Sequence, residues 1–266
     1  MTIFATTILG IWALLSLLSL LLPMAGNEIA LESMFVAPMH EDYVLGSDEL
    51  GRSLALRLVD GAGISLLVAV VSVGISTLLG TSLGILAGFY GGWVDRIVSR
   101  LIEVFLAFPG LLLAIAMAGM LGPGIENVVI ALSLMGWVGF ARLARNQVLS
   151  LKQREHVLAA VALGQTNLNV MRLHLLPLLM APLLVEASFG VASAVIAEAG
   201  LSFLGLGVQP PQASWGSMIR EGVRYLLVAP HLVLVPGLAL SLVVLSANLL
   251  GDALRDRLDV TSHSKR

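Results

Sequence analysis

Six stretches of the chain are apolar almost without interruption: approximately Ile3–Leu22, Ala62–Ala87, Ile97–Leu121, Val128–Leu143, Leu178–Leu201 and His231–Leu250. A helix needs roughly 20 such residues to cross a bilayer. The pattern predicts an all-α, polytopic membrane protein with about six transmembrane helices. Composition agrees, with only 12% charged residues and a mean hydropathy of +0.95. A soluble domain carries about 25% charge, so an ordinary water-soluble enzyme and a disordered chain are excluded. The glycines and prolines show no repeat period, which removes collagen and solenoid readings. A net charge of −2 gives no reason to expect nucleic acid as a partner. There is no cysteine, hence no disulfide or thiolate site, and the five histidines never fall at metal-ligand spacing. No metal or other cofactor is expected on this chain.

The first span has no basic n-region, and its apolar run exceeds the roughly 7–15 residues of a signal core. It reads as a retained anchor. Lysine and arginine set orientation. With the N-terminus in the cytoplasm, eleven of the fifteen basic residues fall inside, five of them (Arg142, Arg145, Lys152, Arg154, Arg172) around the loop between spans four and five. Both termini are therefore expected inside. The chain divides into an anchor with an outer loop and amphipathic helix (1–61), a membrane core (62–259) with an inner loop at about 146–176, and a short inner tail (260–266). In span two, Gly80, Gly84 and Gly88 repeat every four residues, which predicts close helix packing. Pro109, Pro182 and Pro236 should kink their spans.

The inner loop reads Lys152-Gln-Arg-Glu155-His-Val-Leu158-Ala159-Ala160-Val-Ala-Leu-Gly164. Helix formers fill Glu155–Leu163, and Gly164 is placed to stop them. A second apolar-basic stretch, Val170–Leu176, follows, and Pro177 sits where the next helix begins. The result is a short helix outside the membrane. It either slots into a groove on a partner protein or rests on the bilayer surface.

These residues resemble a known family. Ala159-Ala160-x3-Gly164-x9-His174-x-Leu176-Pro177 is similar to the EAA loop of ABC importer permeases, Glu-Ala-Ala-x3-Gly-x9-Ile-x-Leu-Pro. Leu158 replaces the glutamate and His174 the isoleucine. The resemblance extends to the dipeptide, oligopeptide and nickel branch through several further segments. These are Leu45-Gly-Ser-Asp48-Glu-Leu-Gly-Arg52, Gly91-Gly-x2-Asp95-Arg96, Phe105-Leu-Ala-Phe-Pro109, Trp137 with Ala141-Arg142-x2-Arg145, Glu198-Ala-Gly-Leu-Ser-Phe-Leu-Gly-Leu-Gly-Val208, Pro210–Trp215-Gly216 and Asn248–Asp259. It implies a type I ABC importer permease fold in the cell's inner membrane. The inner loop then couples to an ATPase through Glu155, Leu158, Ala159, Ala160, Gly164, His174 and Pro177. Implied partners are a second homologous permease (a heterodimer), two ATP-binding subunits that hold ATP and Mg, an extracytoplasmic binding protein, and membrane lipid. Peptides, nickel or metal chelates are the implied solutes.

Other residues keep two readings. Asp48 is placed to cap a helix over Glu49–Asp60, ended by Gly61. That helix either contacts a substrate-delivering protein, together with Arg52 and Trp215, or plugs the bundle. Leu201–Val208 breaks helical regularity and either lines the outer mouth of a pathway, with Ser202 and Phe203, or caps the bundle. Glu186 and Glu198 lie within span five, where ionisable residues default to function. They meet a cationic solute or bond between helices. Neither lysine follows a glycine, so the chain has no P-loop and supplies no ATP site. A proton-coupled transporter with a Glu186–Glu198 relay is the main alternative, although it would need internal repeats that are not apparent. No hydrolase motif lies within a span.

Overall fold

The computed structural model describes residues 2–21 and 26–263. Leu22 at the end of the first span, and Lys265 and Arg266 of the expected tail, lie outside them. Among the described residues, regular structure is helical apart from one isolated bridge between Ser47 and Ser53. The helices are α1 (Thr2–Leu21), α2 (Leu54–Tyr90), α3 (Gly92–Leu106), α4 (Gly110–Leu121), α5 (Ile125–Leu151), α6 (Glu155–Ala162), α7 (Asn167–Asn169), α8 (Leu176–Phe203), α9 (Trp215–Val223) and α10 (His231–His263). A π-turn over Val170–Leu175 joins α7 to α8. Five helices are long and apolar enough to span a membrane, or six if α3 and α4, bent by 86° at the break between them, count as one span.

Three expectations are corrected. The separate helix over Glu49–Asp60 does not form: α2 starts at Leu54 and runs unbroken past Gly61. Gly61 is not a stop, because a Cβ there would lie 2.8 Å from the Trp215 ring; it is the notch that seats the indole. The third span is two helices rather than one kinked helix, because Pro109 has no N–H to donate and its ring displaces the preceding turn. The helix of span six continues through residues expected to be tail, to His263.

The glycine repeat does what its spacing predicts. A Cβ on Gly80 would lie 2.7 Å from Phe140 Cβ, one on Gly84 2.8 Å from Ala144 Cβ, and one on Gly88 2.8 Å from Val148 Cβ. α2 and α5 thus meet backbone to backbone. α5 outlasts its apolar stretch because Ala141–Leu151 consists largely of good helix formers, so the helix carries its arginines beyond the hydrophobic region.

The bundle has two chemically distinct ends. At one, Ser16 Oγ of α1 donates to Ala62 O of α2 (2.9 Å), and Trp12 packs 6.3 Å from Trp215 of α9. At the other, Asp95 of α3 makes a two-pronged ion pair with Arg145 of α5, and Lys152 Nζ donates to Gly88 O at 2.8 Å. The helix α6 sits at this second end. Its Val157 and Ala160 share a core cluster with Val148, Val170, Leu175 and Leu179.

Candidate functional site

Three sites follow from this frame. The first is α6. Glu155 opens it, in the first turn, where the helix dipole favours a carboxylate. Gly164 closes it at φ +79°, with Gly164 N–H donating to Val161 O and Gln165 N–H to Ala160 O, the paired bonds of a Schellman end. Ala160 and Val157 face the bundle. Ala159, Leu158 (54% exposed), Val161 and Leu163 (84%) face outward. His174 Nε2 meets Gln165 Oε1 at 2.9 Å and ties the π-turn to the exit of α6. Pro177 is the second residue of α8, just after the π-turn in which Leu176 N–H reaches back to Met171 O. The missing proline N–H therefore falls where the ladder has already shifted register.

The second site is a cavity of about 310 Å³ between α2, α4, α5 and α8, lined by Ser72, Ser76, Ser193 and otherwise mainly apolar groups. Glu186 is its ionisable group. The carboxylate lies against Gly139, where an added Cβ would be 2.8 Å from Glu186 Oε1. Gly139 lies one turn before Arg142, which places Glu186 in the inner half of the apolar stretch. A charge within an apolar span is costly unless it faces a cavity, as Glu186 does. Among the described residues Glu186 has no hydrogen-bond or ion-pair partner.

Glu198 behaves in the opposite way. It is 1% exposed and lies outside the cavity. Ser65 Oγ donates to Oε2 at 3.1 Å, Ser202 Oγ to Oε1 at 2.7 Å, and the Ser214 hydroxyl is a third partner. The carboxylate knots α2, α8 and the cap of α9 together. Ser202 is consumed in that knot, and Phe203 is exposed but does not line the cavity. Leu201–Val208 folds back over the end of α8, with Gly205 N–H on Ser202 O and Leu206 N–H on Leu201 O. A Glu186–Glu198 proton relay finds no support here. The two are twelve residues apart, about 18 Å along a helix, and only one borders the cavity.

The third site is a charge cluster at the α9 end. Asp48 Oδ1 accepts from the Leu50 and Arg52 amides, and Oδ2 from Arg52 Nε at 2.6 Å. Arg57 Nη2 donates to Glu221 of α9 at 2.9 Å, and Arg57 Nε lies 3.5 Å from Asp48. Arg57 is 1% exposed. Burial pushes the Glu49 carboxyl above its ordinary range, and the negative charges of Asp48 and Glu221 add to that push. Trp215 is 3% exposed and donates Nε1–H to Leu58 O at 3.0 Å. Asp48, Arg52 and Trp215 are thus buried supports of this face, not its contact surface. Arg57 and Glu221 escaped sequence reasoning because nothing local pairs residues 164 apart.

Membrane-spanning helices around a central cavity, with an apolar helix presented at one end, define a transport permease. Residues 80–260 match the family described as binding-protein-dependent transport system inner membrane component. A glutathione transport system permease protein, GsiD, of Pectobacterium atrosepticum is 44% identical over 215 residues, covering 81% of this chain and 71% of that protein. A dipeptide transport system permease protein, DppC, of Alkalihalophilus pseudofirmus is 40% identical over 218 residues, covering 82% and 72%. Among solved structures, the inward-facing MetNI methionine ABC transporter matches with a TM-score of 0.62 at 20% identity, over 76% of this chain and 97% of that one, a likeness of fold. The chain belongs to the binding-protein-dependent transport system inner membrane components. It is a non-catalytic, multi-pass permease subunit of an ABC importer, and ATP hydrolysis lies in a separate subunit.

Proposed function

We propose that this chain is one of two homologous permease halves of a peptide importer, and that α6 couples it to an ATP-binding subunit. The observation that carries the reading is the outward stripe of α6, Leu158–Ala159 with Val161 and Leu163, held rigidly from behind by Val157 and Ala160. An exposed apolar stripe on a short helix suits a groove on a partner. Leu158 and the small Ala159 make that contact steric and apolar. Peptide-type solutes are favoured because the relatives above are named for glutathione and dipeptide transport.

The α6 end carries nine of the thirteen basic residues within the described chain, which supports placing it in the cytoplasm with both termini. The α9 end then faces outward, where a binding protein delivers solute to the frame built on Asp48, Arg52 and Trp215. ATP and Mg belong to two ATP-binding subunits, and a heterodimer with a second permease completes the pathway.

The test is reconstitution. Proteoliposomes holding both permeases and the ATP-binding subunits should import a labelled dipeptide only with ATP and loaded binding protein. Import driven by a proton gradient without any ATP-binding subunit would overturn the reading.

A further inference from the structure

The 310 Å³ cavity does not end at Glu186. A second cavity of about 560 Å³ lies on the inner side, and Glu186 and Phe189 are the two residues that line both. They are three apart on α8 and so share a face. Phe189 is fixed from behind: a Cβ on Gly251 of α10 would lie 3.0 Å from its ring. On the other side Gly139 leaves room for the carboxylate and nothing more. The partition between the chambers is therefore one carboxylate and one aromatic ring, both held by glycines on neighbouring helices.

We propose that Glu186 and Phe189 form a transit site for the primary ammonium group of the solute, the free N-terminus of a peptide. The inference rests on the peptide-importer reading and adds the group that is recognised inside the membrane. Three observations carry it. The carboxylate lies in the inner half of the apolar stretch, half-buried and without a hydrogen-bond or ion-pair partner among the described residues, so it is free to pair with a cation that enters either chamber. An aromatic face beside a carboxylate suits an ammonium through cation–π attraction. The outer chamber offers the exposed hydroxyl of Ser193 to a hydrogen-bonding solute, while Ser72 and Ser76 already donate to the Val68 and Ser133 carbonyls, and the inner chamber carries Arg154 and Arg255, which suit its carboxylate. A zwitterion crossing the partition thus meets both signs of charge in order.

The test uses the complete reconstituted importer with labelled alanylalanine, reading peptide imported per ATP hydrolysed. Glu186→Gln should lower that ratio about tenfold, equivalent to about 1.4 kcal/mol, and Glu186→Asp should restore most of it. Gly139→Ala, which keeps the charge but displaces it, should lower the ratio in the same direction. An unchanged ratio in Glu186→Gln overturns the inference, as does failure of Glu186→Asp to recover. Failure of the wild-type complex to import peptide at all is a different result and defeats the peptide-importer reading itself.

Discussion

Gly84→Ala on α2 is the most informative single perturbation of the fold. The added Cβ would press first on the Ala141 carbonyl oxygen, and would stand 2.8 Å from Ala144 Cβ and 3.0 Å from the Arg145 backbone N. Ordinary carbon contacts begin near 3.5 Å, so the helices must part by about 0.7 Å, a gap that forfeits a quarter to a half of each dispersion contact. Gly80 and Gly88 lie on the same face, so the loss extends along the α2–α5 seam. Overpacking of this kind costs about 1–3 kcal/mol, and the better helix propensity of alanine returns up to about 1 kcal/mol. Gly74→Ala is the control. It lies on the same helix, nothing stands within 4 Å of its added Cβ, and only the propensity gain applies. The two variants should differ by about 1–3 kcal/mol, or roughly 2–5 °C in midpoint for a chain of this size. Thermal unfolding of the purified complex reads this directly, and Trp137 in the affected region provides intrinsic fluorescence. Equal midpoints for the two variants would refute the close approach of α2 and α5.

Three further outcomes follow from the sites. Arg57→Met should destabilise by about 3 kcal/mol, because Asp48 and Glu221 lose a buried counter-ion, and adding Glu221→Gln should recover part of it in thermal melts. Glu198→Ala should lower the midpoint well beyond Glu186→Ala, since it strands three serine hydroxyls at about 1 kcal/mol or more each, whereas Glu186 has no partner to strand. Gly164→Ala should cost about 1–2 kcal/mol at φ +79° and, by moving the exit of α6, lower solute-stimulated ATP hydrolysis.

How much of this was legible beforehand varied with the range of the interaction. The apolar character of the spans, the glycine seam and the limits of α6 are local or periodic, and they are legible in the sequence, whereas the break of the third span and the ends of the second and sixth helices are not. Asp48 looks like a helix cap among helix-forming neighbours, yet its carboxylate closes a turn on Arg52 and helps hold Arg57. Gly61 looks like a stop until Trp215, far along the chain, is packed into it. Glu186 and Glu198 are alike in the sequence, two carboxylates in one apolar span. They are separated only by what other helices bring: three serines to Glu198, and glycine with open space to Glu186.

The chain's lack of cysteine makes the coupling claim directly measurable. A single cysteine in place of the exposed Ala159 on α6 should cross-link to the ATP-binding subunit in the transport-active complex. One in place of Met39, exposed near the other end, should not. A cross-link from Met39→Cys, or none from Ala159→Cys in a complex that still transports, would contradict coupling through α6.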